Sequence, residues 1–145
     1  MGPDPLRILR AQHDQLRRGV RQVANRATAT QRLRPLAARL ESHLALEERT
    51  LFAFWEGILG QRRAVAVLRA DHRALRLAAG RALREGGLLG AARLSRQLEA
   101  HFAREERVLF PLTIARLTPT QLVEFGRLLR APRDRGPATA RKRRL

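Results

Sequence analysis

A thirteen-residue stretch occurs twice in this chain. Leu40 to Phe52 reads LESHLALEERTLF and Leu98 to Phe110 reads LEAHFAREERVLF, with nine of thirteen positions identical at an offset of 58. A second pair matches at an offset of 59: LRAQHDQLR from Leu9 to Arg17, and LRADHRALR from Leu68 to Arg76. The chain is therefore two copies of one unit, each two segments long. Whatever it folds into must bring two equivalent halves together with the same residue types in the same register.

The segments read as helices. Leu9, His13, Leu16, Val20 and Val23 recur at three- and four-residue steps, as do Leu33, Leu36, Leu40, His43, Glu47, Leu51 and Phe54. The second copy repeats the pattern with Leu68, His72, Leu75, Ala79 and Ala82, then Leu94, Leu98, His101, Glu105, Val108, Leu112 and Ala115. That spacing is the inward stripe of an amphipathic helix, and no segment alternates as a strand would. Breakers fall between the stripes at Thr28 to Thr30, at Gly57 and Gly60, and at Gly86-Gly87. Pro35 is expected near the start of the second helix, where proline is tolerated, and Pro111 is expected to bend the fourth or free a carbonyl there. Thr118-Pro119-Thr120-Gln121 has the form of a capping box opening a further short helix, packed through Leu122, Phe125, Leu128 and Leu129. Short connections make successive helices antiparallel. The expected fold is all-α: an up-down-up-down antiparallel four-helix bundle with a short fifth, C-terminal helix. Residues 1–130 form one domain, with the repeat over about 5–57 and 64–116 and the short helix at 118–130. Residues 131–145, rich in Pro, Gly and Arg, are expected to be a disordered basic tail.

The chain has four histidines, and each falls on the inward stripe of a different helix. His43 and His101 are each followed four residues later by a glutamate, Glu47 and Glu105, which a helix places on the same face. A buried carboxylate is costly unless a charge partner or a metal meets it. No Lys or Arg shares the stripe, so His13, His43, Glu47, His72, His101 and Glu105 are candidate metal ligands. Four imidazoles and two carboxylates exceed the needs of one metal and suit two, bridged by both carboxylates. An oxo, hydroxo or water bridge would complete a centre with an open position on each metal. The nitrogen and oxygen donors suit iron, manganese or zinc. Glu48 and Glu106 turn about 100° off the stripe and are expected in solvent or paired with nearby Arg. Asp14 and Asp71 flank ligand histidines and either orient the rings or serve as surface pairs. Glu41 and Glu99 are expected at the surface, and Phe52, Phe54, Trp55, Phe102 and Phe110 in the core and around the site.

There is no Cys, which excludes disulfides, iron–sulfur ligation and thiol nucleophiles and fits a reducing compartment. No long apolar run precedes the first charges, so neither a leader nor a membrane span is expected, and the cytoplasm is the expected location. The formal net charge is +17, with Lys142 the only lysine. Such a balance attracts nucleic acid or other anions, but no aromatic interleaving accompanies it, and a nucleic-acid partner is the less favoured reading.

The doubled H-x-x-x-E-E-R-x-L-F, each copy preceded by an isolated His about thirty residues upstream, resembles the hemerythrin-like cation-binding domain. The resemblance covers roughly Pro5 to Arg130. It implies a hemerythrin-like bundle around a non-heme centre of two iron ions, with manganese or zinc as the other candidates. His13 and His43 would bind one iron, His72 and His101 the other, and Glu47 and Glu105 would bridge them. Oxygen-carrying members have a fifth histidine one turn from His72; here Leu68 and Arg76 occupy those positions. The four-His, two-Glu set is more similar to bacterial members implicated in repairing oxidative and nitrosative damage to iron centres. The implied ligands are dioxygen, peroxide or nitric oxide, with electrons from an external donor. Reversible carriage of oxygen or iron, or sensing, is the alternative.

Overall fold

The computed structural model describes residues 4–24 and 29–131. Helix α1 spans Arg7–Ala24. Helix α2, Ala29–Glu47, runs without a break through a π-helical segment, Glu48–Phe52, into α3, Ala53–Gly57. Helix α4 spans Arg62–Glu85. Helix α5, Gly87–Arg104, likewise continues through a π-helical segment, Glu105–Leu109, into α6, Phe110–Arg116. Helix α7, Pro119–Arg130, closes the described chain. The first four rods form the expected bundle: α1 packs on α2 and α5, and α4 packs on α5 and α2. No described helix is long and apolar enough to cross a membrane.

Glycines make two of the turns, Gly60 with φ 64° and Gly86-Gly87 with φ 65° and 78°. A Cβ is strained at such angles, so glycine is the natural residue there. Gly90 lets α5 approach α4 closely, since a Cβ on it would lie 3.1 Å from Ala82 Cα. Thr118 and Gln121 form the expected capping box on α7, with bonds of 3.3 and 3.0 Å in the two directions.

Three expectations need correction. Helix α2 begins at Ala29, so Thr30 lies inside it (Thr28 falls outside the described residues) and Pro35 sits in the helix interior. Proline survives there because it is exposed, where the carbonyl it strands can take water. Val108 and Leu112 point outward, 56% and 42% exposed, while Leu109 and Thr113 are buried instead. The π segment adds a residue to the turn and so rotates the stripe that follows. Pro111 does not cause it, because the equivalent segment at Glu48–Phe52 has no proline. Leu128 of α7 is exposed; Phe125, Gly126 and Leu129 carry the packing. The expected tail lies, beyond Ala131, outside the described residues.

The core is in two parts. One cluster joins Leu16, Val20, Leu36, Leu40, Leu75, Leu94 and Leu98; the other joins Leu6, Leu9, Leu51, Trp55, Val65, Leu109 and Phe125. On each of the four rods the candidate-ligand histidine falls between them. Two apolar layers thus seal a single polar layer from both ends. Trp55 Nε1 donates to Thr113 Oγ1 at 2.9 Å in the second layer, satisfying a buried donor across the repeat.

Candidate metal centre

All six candidate ligands meet in that polar layer, none more than 2% exposed. His43 and Glu47 are one turn apart on α2, and His101 begins the matching pair that ends on Glu105, the first residue of the second π segment. His13 comes from α1 and His72 from α4. Each ring turns Nε2 toward a carboxylate. Glu47 Oε1 lies 3.3 Å from His43 and 3.6 Å from His13, while Glu47 Oε2 lies 3.4 Å from His72. Glu105 Oε1 lies 3.2 Å from His101, and Oε2 lies 3.3 Å from His13. The ligand atoms sort into two quartets, His13–His43–Glu47–Glu105 and Glu47–His72–His101–Glu105, each with its atoms within 4.8 Å of one another. Both carboxylates belong to both quartets.

Nine buried side-chain atoms here have no hydrogen-bond partner among the described residues: all four Nε2 atoms, all four carboxylate oxygens and His101 Nδ1. Burial without partners costs roughly 1–3 kcal/mol for each such group. Eight of the nine converge on one small volume, and their chemistry is that of a set of metal donors. The residues therefore fit metal cations of the nitrogen- and oxygen-preferring kind.

Electrostatics points the same way. Burial lowers the histidines, His13 to about 3 and His101 to about 2, so the rings are neutral and present lone pairs. Burial raises Glu47 well above the usual carboxylate range, with the nearby Glu105 charge adding to the effect. Burial also pushes Glu105 up to about 8. Carboxylates so placed need positive charge to ionise.

The ring nitrogens facing away from the centre reveal residues that the inward stripe does not mark. His13 Nδ1 lies 2.8 Å from Glu106 Oε1, and His72 Nδ1 lies 2.9 Å from Glu48 Oε1. His43 Nδ1 lies 2.8 Å from Gln12 Oε1. The two glutamates are held in turn by Arg17 and Arg76, which also clamp Glu99 and Glu41. Both arginines are held more firmly charged by these hydrogen bonds, and Arg76 and His72 lower Glu48 despite the cost of its partial burial. The carboxylates behind His13 and His72, and the amide oxygen behind His43, fix the N–H on Nδ1 and leave Nε2 free to ligate. Glu48 and Glu106 thus pair with arginine as expected and also orient the rings. Asp14 and Asp71 do not touch the rings; they pair with Arg17 and Arg104. The signal for Glu48, Glu106, Arg17 and Arg76 lay in the repeat itself, which preserves each of them although none faces inward.

Aromatic rings wall the site. Phe102 stacks on His13 with centroids 3.9 Å apart and 13° between planes, and Phe52 packs on His72 at 4.7 Å. A cavity of about 320 Å³ between α1 and α2 reaches His43, lined also by Gln12, Gln15, Arg39, Ser42, Arg49 and Leu129 of α7.

An all-helical bundle with two buried, carboxylate-sharing histidine quartets is a helical cation-binding protein. The family model for the hemerythrin HHE cation binding domain matches residues 4–112, and the chain belongs to that family. Neither the curated proteins nor the solved structures contain a match.

The outward bonds can be tested directly. Glu106→Ala is expected to weaken cation binding about tenfold, the low end for loss of an outer partner. Competition with a chromophoric chelator would measure it; an unchanged affinity would reduce Glu106 to a surface ion pair.

Proposed function

We propose that the chain holds two iron ions between its quartets and reacts with dioxygen, peroxide or nitric oxide. The sharing of both buried carboxylates by both quartets carries this reading, because one cation would leave half of the donors unused. Iron in this position would supply redox chemistry toward small ligands. The chain's own residues do the rest. Glu48, Glu106 and Gln12 hold three rings with Nε2 inward. Phe52, Phe102 and Phe110 keep bulk water from His13 and His72. The cavity at His43 offers small molecules a path of mixed polarity to the edge of the centre.

Four histidines rather than five leave each ion the same number of protein ligands. Such even ligation of two bound ions would favour onward reaction over reversible carriage. There is no Tyr and no Cys to serve as a relay, so electrons come from an external donor, in keeping with a cytoplasmic setting. The test is an optical spectrum of the iron-loaded, reduced protein before and after dioxygen, and again after purging with argon. Irreversible oxidation supports reaction, and turnover of peroxide or nitric oxide then identifies the substrate. A spectrum that returns on purging would instead make the protein a carrier or sensor.

A further inference from the structure

The duplication makes every ligand residue comparable with its counterpart in the other half, and the two halves are not supported alike. Gln12 corresponds to Asp71, Leu46 to Arg104, and Leu44 to Phe102. In the first half, Gln12 Oε1 accepts from the Nδ1–H of His43 at 2.8 Å. In the second, the side chain at the matching position is one methylene shorter and is drawn outward by Arg104, 2.7 Å away. Among the described residues His101 Nδ1 has no partner and is buried, alone among the four outward ring nitrogens. The aromatic support is unequal too: Phe102 and Phe110 both stack on His13, whereas among the described residues Phe52 is the one phenyl ring on His72. Phe102 stacks on His13 and is itself covered by the Arg17 guanidinium at 5.3 Å. The residue matching Phe102 is Leu44, so His72 has Phe52, the counterpart of Phe110, but no counterpart of the Phe102 stack. The carboxylates behind His13 and His72 are equivalent, so they do not cancel these differences.

We propose that the two cation positions are inequivalent: His13 and His43 form the tighter one, and His72 and His101 form an exchange-labile one. This rests on the two-cation reading above. An imidazole whose N–H is accepted by an outer partner is held in one tautomer and orientation and is the more basic ligand, and loss of that partner costs about 10- to 100-fold in metal affinity. His101 has no such partner, so its cation is the first to leave and the last to enter. The centre would then lose one ion to a competing ligand while keeping the other.

The experiment is an anaerobic titration of the full chain with ferrous iron against a competing chelator. The native chain should show two steps. The double variant D71Q/R104L gives the second half the arm and the apolar neighbour of the first. It should tighten the weaker step about tenfold and leave the tighter one unchanged. The reciprocal Q12D gives the first half the shorter arm and should weaken the tighter step by a similar factor. Q12D alters one half-buried residue and decides the matter alone if the double variant does not fold. Affinities that stay unchanged in the folded variants would overturn the inequivalence. Uptake of fewer than two ions by the native chain would overturn the two-cation reading itself, and this inference with it.

Discussion

If two cations are held as proposed, replacing Glu105 by alanine is expected to cost both of them, whereas replacing His43 by alanine costs one. Glu105 places one oxygen 3.3 Å from His13 Nε2 and the other 3.2 Å from His101 Nε2, so it serves both quartets. His43 serves only the first. Loss of a shared charged ligand should exceed the roughly 10- to 100-fold cost of losing an outer partner. Metal analysis after loading and desalting should find little bound to Glu105→Ala and intermediate content in His43→Ala. Stability of the metal-stripped protein provides a control of opposite sign. There the carboxylate is a buried group with unpaired oxygens, and removing it relieves that penalty, offset in part by the small cavity left. Glu105→Ala should therefore be no less stable than the native chain once both are stripped. Full metal content in Glu105→Ala would remove it from the ligand set.

Chelation should lower the melting temperature sharply, and by more at pH 8 than at pH 6.5. A ligand present at a thousandfold above its dissociation constant adds about 4 kcal/mol to stability, so two cations add roughly 8 kcal/mol. For a domain of this size that corresponds to a shift on the order of 20 °C. The pH dependence follows from two opposed groups. Without a cation, Glu105 is raised from 4.5 to about 8. Its contribution is fully present below the unfolded value and is lost as pH rises through the folded one, so the stripped chain weakens toward pH 8. His13 is lowered from 6.5 to about 3; its contribution is present above 6.5 and lost as pH falls. Between pH 6.5 and 8 the glutamate effect therefore stands alone. Bound cations keep the carboxylates ionised and remove that loss. Melting curves of loaded and chelated protein at the two pH values check it; a gap that narrows toward pH 8 would contradict it.

Much of this was legible in the residues because two periodicities coincided. The inward stripe marked the helices, and the repeat showed that His and Glu on the stripe were placed rather than scattered. What the stripe could not show was a change of helical pitch. Val108 looks inward only if the turn after Glu105 is an ordinary α turn, and the π segment there puts Leu109 inside instead. Nor could an inward stripe find residues that act from the side. Glu106 stands off the stripe of its own helix yet reaches a histidine on another, because α1 packs against the rod that carries it. Asp71 shows the reverse: adjacency to His72 in the chain suggested a role in orienting that ring, but one residue along a helix points elsewhere, and its partner is Arg104.

Glu106, in the second repeat, holds His13 in the first, and Glu48, in the first, holds His72 in the second. The two halves are therefore interlocked rather than merely adjacent. A polypeptide cut in the turn between Gly57 and Arg62 would yield fragments each carrying a glutamate with no ring to hold and a histidine with nothing behind it. Each fragment supplies what the other lacks, and because the repeat is nearly self-similar, it also supplies most of what a second copy of itself would lack. The covalent connection at Gly60 fixes which halves meet, while the complementarity that joins them resides in the side chains.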